Sequence, residues 1–101
     1  MRSYKDYYIK MADLSCMFAH PLRVRIIEEL LAHGGNKECV QDFTKIFGKR
    51  QANISQHLSI LRRSGIIDYR QLGKTRCYYI RNPLYVKRVI GNLKRIMEAG
   101  L

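Results

Sequence analysis

The chain has no apolar stretch close to the roughly 18 residues that a membrane-spanning helix needs. Its first residues, MRSYKDYYIK, lack the apolar core of a secretory signal. It has 3 cysteines, and an odd number in a chain without an export signal argues against a structural disulfide framework. These absences predict a cytoplasmic protein that has no membrane partner.

Acidic residues are scarce, at 8 Asp and Glu against 19 Lys and Arg, for a net charge of +11. The excess is localised: residues 1–44 are balanced, whereas residues 45–81 carry nine basic residues and one acid, Asp68. A basic block of this kind is typical of a surface that binds a phosphate backbone. Anionic lipid would instead favour a basic amphipathic helix with large apolar anchors, whereas this block lies partly on a predicted hairpin.

Recognisable catalytic patterns are also missing. The sequence has no serine-histidine-acid order, no paired carboxylates, no metal-ligand cluster and no phosphate-cradling glycine loop. We therefore expect no enzyme activity and no cofactor. With 47% hydrophobic residues, the 101 residues can form a modest core, and we expect one domain spanning residues 1–101.

The spacing of apolar residues predicts about five helices and one hairpin. Proline suits a first helical turn, glycine a helix end and asparagine an N-cap. Helices are predicted over residues 4–18, from Pro21 to the Gly34-Gly35 pair, over residues 37–47 behind Asn36, over residues 51–64, and from Asn82-Pro83 onward.

The most informative segment is residues 48–81. In the fourth helix, Ile54, Leu58 and Leu61 form one apolar stripe, and small or amide side chains that can contact base edges occupy the other face. Two strands follow, residues 67–72 and 75–80, joined by a glycine-lysine turn. A polar-faced helix before a basic hairpin predicts a winged helix-turn-helix, a mainly α fold with a small β-hairpin. The predicted DNA-binding residues are Lys49, Arg50, Gln51, Ala52, Asn53, Ser55, Gln56, Ser59, Arg63, Arg70, Lys74 and Arg76.

The first and last predicted helices have long apolar stripes that a small core has little surface to cover. Exposed stripes of this length usually mark an interface. Helix-turn-helix proteins often pair in order to contact two half-sites. We therefore expect a homodimer formed by these two helices, and the alternative is that both fold back on their own core.

Three motifs in this order resemble the ArsR/SmtB family of winged-helix repressors. FAHPLRVRIIEELL is similar to the family's second helix, QANISQHLSILRRSGII to its recognition helix, and GKTRCYYIRNP to its second wing strand. The resemblance covers nearly the whole chain. It implies a homodimeric repressor that an inducer releases from its operator, where inducers include metal ions, arsenic species, reactive sulfur and oxidants.

The family's metal sites are incomplete in this sequence. The stretch KECVQDF keeps Cys39 but has Gln41 in place of the second cysteine, and one thiolate with one amide is a poor site for a soft metal. The last helix has only Glu98 of the second site's Asp, His and Glu ligands. We therefore predict no metal site and a thiol-based sensor at Cys39, with Cys16 as its partner, such that oxidation weakens operator binding. Cys77 is interpreted as a small, semi-buried hydrophobe.

The leading interpretation is a homodimeric repressor that binds an inverted-repeat operator in double-stranded DNA and responds to an unidentified small inducer through cysteine thiols. One alternative is a nucleoid-type protein that coats DNA without a sensory site. Its binding face would need mainly Lys and Arg, not amides and hydroxyls. Others are a metal- or metalloid-responsive repressor that uses Cys39, and a protein–protein adaptor with an acidic partner.

Overall fold

Two prolines begin helices where the sequence predicts them. The computed structural model describes residues 4–32 and 38–100. Pro21 begins the second helix, and Pro83 begins the last helix behind Asn82. The helices are α1 (Tyr4–Ser15), α2 (Pro21–Ala32), α3 (Val40–Phe47), α4 (Gln51–Ser64) and α5 (Pro83–Glu98), and the strands are β1 (Glu38–Cys39), β2 (Ile67–Leu72) and β3 (Thr75–Ile80).

The core forms where the apolar stripe of α4 meets α2, α3 and the base of the hairpin. Ile54, Leu58 and Leu61 of α4 are fully buried, as the sequence predicts. They belong to one cluster with residues of the neighbouring elements, which include Ile26, Ile27, Leu30, Phe43, Ile67 and Ile80. This cluster fixes the orientation of α4, so its opposite face points to solvent.

Gly65 makes the sharp change of direction from α4 into the hairpin. Its φ of +88° lies in the left-handed region, where glycine has no steric penalty. Its backbone N–H donates to the carbonyl of Arg62. The hairpin strands β2 and β3 then pair antiparallel from Ile67 opposite Ile80 to Leu72 opposite Thr75. The winged helix-turn-helix fold predicted from the sequence is confirmed, with the predicted bounds for α4, β2 and β3.

The structure differs from the prediction before α3. Glu38 and Cys39 form a short edge strand opposite Tyr78 and Cys77, so the sheet has three strands in the order β1-β3-β2. The third helix accordingly begins at Val40 and not at residue 37. In the strand, the backbone groups of these two residues pair with β3, whereas the first turn of a helix would leave their N–H groups without partners. The predicted glycine stop and Asn36 cap lie outside the described residues.

The first helix also ends earlier than predicted. α1 stops at Ser15, and Cys16–Phe18 form a 3₁₀ turn. Arg23 of α2 holds this turn, because its Nη2 donates to the Cys16 carbonyl over 2.7 Å and its Nε to the Met17 carbonyl over 3.3 Å. Within the described ranges, no helix is both long enough and apolar enough to cross a membrane.

Candidate DNA interface

The outer face of α4 is a row of exposed polar and small side chains. Gly48, with a φ of +63°, forms the turn between α3 and α4, and its N–H donates to the Thr44 carbonyl. Arg50 precedes α4 in an extended conformation. Ser55 is half-buried, and the other predicted reading residues of α4 are exposed: Gln51, Ala52, Asn53, Gln56, Ser59 and Arg63.

A polar cleft separates α4 from the wing, which is the hairpin β2–β3. Its volume is about 390 Å³. Side chains alternate between the two faces of a strand, so Gln71 and Arg76 lie opposite each other on the same face as the core pair of Ile67 and Ile80. That face is therefore apolar at the base of the wing and polar beside α4. The residues that line the cleft are Gln51, Ser55, Ser59, Gln71, Lys74, Thr75, Arg76 and Tyr78.

Aromatic stacking holds Arg76 at the edge of this cleft. The guanidinium of Arg76 lies 4.6 Å from the ring centroid of Tyr69, and that of Arg62 lies 4.5 Å from the same ring. Cation–π contact limits the freedom of a long side chain while leaving its charge exposed. Arg76 is therefore oriented before any ligand arrives.

An ion pair joins the end of α4 to the start of the wing. Asp68 accepts a hydrogen bond from the Tyr69 backbone N–H over 2.8 Å and one from Arg62 Nε over 3.1 Å. The Tyr69 N–H first, and then Arg62, lower the pKa of the Asp68 carboxyl, which stays charged at neutral pH. Asp68, the one acidic residue among residues 45–81, is therefore paired with Arg62. This pairing offsets the negative charge that would otherwise repel phosphate.

A second cavity, of about 430 Å³, lies on the other flank of the start of α4. It brings Lys49 and Asn53 together with His20, Arg25 and His57. The rings of His20 and His57 lie 4.3 Å apart between centroids. Burial first, and then electrostatic interaction with His20 and Arg23, lower the pKa of His57. Cations therefore flank α4 on both sides, as two phosphate backbones bordering a groove would require.

The predicted DNA-binding residues do not all share one site. Gln56 and Ala52 lie exposed on α4 without lining either cavity, and Arg70 lies near the Tyr79 ring, 5.9 Å from its centroid. Arg63 lines a different cavity, of about 570 Å³, beside α1. The two cavities are also lined by Gln71, Thr75, His20 and Arg25, which were not predicted from the sequence. The alternation of the wing strands could have indicated the first two, whereas only the fold brings α2 beside the start of α4.

The cysteines are arranged differently from the sequence interpretation. Cys16 is a free, exposed thiol beside the cavity that Arg63 lines. Cys77 is buried and disulfide-bonded, so the interpretation as a simple semi-buried hydrophobe is wrong. Among the described residues, no three His, Cys, Asp or Glu side chains come together as a metal site would require. The residues of this chain do not fit the family's metal sites, because Gln41 stands where one of those sites has its second cysteine.

This architecture defines a winged helix-turn-helix DNA-binding protein. Residues 20–69 match the family model described as "Bacterial regulatory protein, arsR family". An uncharacterised HTH-type transcriptional regulator of Methanocaldococcus jannaschii, MJ1325, is 38% identical over 75 residues, which are 74% of this chain and 82% of the relative. The chain belongs to the ArsR family of transcriptional regulators.

Solved structures share the fold of this chain. The crystal structure of Rv0081 from M. tuberculosis superposes with a TM-score of 0.78 at 26% identity, covering 96% of this chain and 93% of that chain. Mb0332 from Mycobacterium bovis is described as a homodimeric winged helix-turn-helix DNA-binding domain. Its fold matches with a TM-score of 0.78 at 18% identity, over 96% of this chain and 88% of that chain.

Proposed function

We propose that the protein is a sequence-specific repressor that binds an inverted-repeat operator as a homodimer and is released by an inducer sensed through cysteine thiols. The observation that carries the DNA-binding part is the cleft between α4 and the wing. Amide and hydroxyl groups that can read base edges lie there beside Lys74 and Arg76, whose charges suit phosphate.

The exposed face of α4 supports sequence-specific reading over simple coating. Gln56 and Asn53 are amides that can bind adenine through two hydrogen bonds in the major groove. Ala52 and Ser59 are small enough to let the helix approach the bases closely. A coating protein would present mainly Lys and Arg on this face, because phosphate contacts carry no sequence information.

The homodimer is supported by the terminal helices. Of the 13 large hydrophobic residues that are exposed among the described residues, 11 lie in α1 and α5. A further groove of about 370 Å³ lies between Leu14, Phe18, Tyr85 and Val89 of these regions. Continuous apolar surface of this kind favours burial against another protein surface, and the homodimeric description of Mb0332 points to a second copy.

A two-fold dimer places two copies of α4 on one face of the DNA. Two such helices contact successive major grooves when their centres lie about 10 bp apart, or a multiple of this. The operator should therefore be an imperfect inverted repeat with that spacing between half-sites.

The test is selection of binding sites from a random duplex library, followed by footprinting and competition with unrelated DNA. We expect a dyad-symmetric consensus that outcompetes unrelated DNA by roughly 1,000-fold or more. A footprint without dyad symmetry would contradict the dimeric mode of binding. Equal competition by unrelated DNA would instead favour the nucleoid-type alternative.

A further inference from the structure

Cys77 lies in β3, the middle strand of the sheet, and takes part in a disulfide. Its side chain is buried, with 3% of its surface exposed. The sequence contains 3 cysteines, and Cys16 is a free thiol. Cys39 is therefore the one cysteine that remains as a partner within the chain.

The backbone register independently places Cys39 at the right position. Cys39 of β1 lies directly opposite Cys77 in the antiparallel pairing of β1 with β3. Residues paired this way have Cα atoms about 4.5–5.5 Å apart and side chains on the same face. A disulfide needs Cα atoms about 4.4–6.8 Å apart. The two positions can therefore bond without movement of either strand.

We propose that Cys39 and Cys77 form a redox-modification site whose disulfide closes the DNA-reading unit and strengthens DNA binding. The proposal rests on the DNA-binding function proposed above. It replaces Cys16 as the partner of Cys39 and reverses the predicted effect of oxidation, so that release from DNA follows reduction of the bond.

The covalent step is thiol–disulfide exchange with a low-molecular-weight disulfide. One cysteine thiolate attacks this disulfide, forms a mixed disulfide and releases one small thiolate. The second cysteine thiolate attacks the protein sulfur of that mixed disulfide and releases the other small thiolate. The two cysteines are oxidised, the small disulfide is reduced to two thiols, and the two cysteine protons pass to the departing thiolates.

The position of the bond explains how it affects binding. The loop from residue 39 to residue 77 contains α3, α4 and β2, so the bond encloses the whole helix-turn-helix and the first strand of the wing. Without it, β1 is held to β3 over two residue pairs. Phe43 holds α3 in the core in either redox state, but a pairing so short is a weak link between the start of α3 and the wing. Binding DNA must then restrict the motion of β1 against β3 in the reduced protein, which lowers its affinity.

The first experiment maps the bond. The purified chain is incubated with oxidised glutathione or with dithiothreitol, alkylated, digested with trypsin without reduction and analysed by mass spectrometry. In the oxidised sample we expect peptide ECVQDFTK (residues 38–45) linked to CYYIR (residues 77–81), and the peptide of residues 11–23 with alkylated Cys16. A Cys16-linked peptide, or three alkylated cysteines after oxidation, would overturn the proposal.

The second experiment measures the effect on stability and affinity. The oxidised protein should melt roughly 10 °C above the reduced one, since the bond restricts a long loop in the unfolded chain. It should bind its selected DNA site about three- to tenfold more tightly. Cys39→Ser and Cys77→Ala should lose both responses, and Cys16→Ser is the matched control that should keep them.

The outcomes separate this proposal from the proposed function. A mapped disulfide with equal affinity in both redox states would make the bond a structural link and overturn the switch. Weaker binding by the oxidised form would also overturn it. If neither redox form selects a DNA sequence, the DNA-binding function fails, and the mapped bond and the melting shift still report on the cysteine pair.

Discussion

Two amphipathic regions of the molecule differ in how far their apolar residues are buried. One is the reading region, which comprises α4 and the wing, and the other is the terminal pair, α1 and α5. The stripe of α4 is fully buried within one chain. In α5, Val86 and Ile90 are buried, whereas Leu93 is 39% and Met97 74% exposed. The same helical periodicity thus completes a core in one region and leaves apolar side chains exposed in the other.

The forces on the two surfaces also differ. Residues 45–81 have nine basic residues against one acid, so the reading region attracts phosphate through charge that salt screens. The terminal pair offers apolar area, whose burial salt does not weaken. Salt should therefore weaken DNA binding while leaving the proposed dimer intact, and sedimentation and binding assays over one salt series can separate the two.

The largest effect should come from charges placed in the terminal pair. The double variant Val89→Glu/Leu93→Glu should weaken dimerisation by roughly 100-fold or more, because two carboxylates would be buried in an apolar interface. Affinity for the inverted repeat should fall with it. Analytical ultracentrifugation and footprinting measure both effects.

The control for this variant is Arg95→Glu, which changes the net charge of the chain by the same amount. Arg95 is exposed on the opposite side of α5 from Val86 and Ile90. A dimer that is retained in the double variant but lost in the control would show that the interface lies elsewhere.

The next effect should come from the reading face. Gln56→Ala should cost about 1–3 kcal/mol in binding and relax selectivity at one base pair of each half-site, if the amide binds a base in two places. Asn92→Ala is the comparison, because Asn92 is an exposed amide on α5, outside the reading region. Affinities are measured for a panel of DNA sites that each carry one changed base pair. Selectivity should be lost at one position for Gln56→Ala and at no position for the comparison variant. The same loss for both variants would remove Gln56 from base reading.

A smaller effect is expected at the tip of the wing. Lys74→Ala should weaken binding to all sequences about equally and lower the slope of log affinity against log salt by about 1 per subunit. The reason is the loss of one phosphate contact. Lys87→Ala on α5, outside the reading region, is the control. A sequence-selective loss for Lys74→Ala would show that Lys74 reads bases.

The smallest effect should be the dependence of stability on pH through His57. Its pKa is lowered in the folded protein, so the unfolded chain binds more protons once the pH falls below about 6.5. Stability from this group is therefore present above that pH and is lost as the pH falls toward the lowered pKa. As the pH falls from about 7.5 to 5.5, the melting temperature should decline less steeply for His57→Gln than for the unmodified protein. An unchanged decline would show that another group is responsible.

Sequence patterns were sufficient for the elements whose residues interact locally. The α4 stripe, the glycine-lysine turn and the prolines predicted the bounds of α4, β2, β3 and the start of α5, because these features act over a few neighbouring residues. The short strand β1 was missed. Its two residues have no strand pattern of their own and become a strand through pairing with residues 77 and 78, far along the chain.

The sequence by itself determined the winged helix-turn-helix, the basic reading region and the incomplete metal sites, since periodicity, charge and ligand identity are readable one segment at a time. Only the tertiary structure decided that Gln71 and Arg76 face α4, that His20 and Arg25 join Lys49, and that Cys39 lies opposite Cys77. Each of these juxtapositions joins segments distant in the chain. Their distance in space depends on how the core packs, which no local pattern specifies.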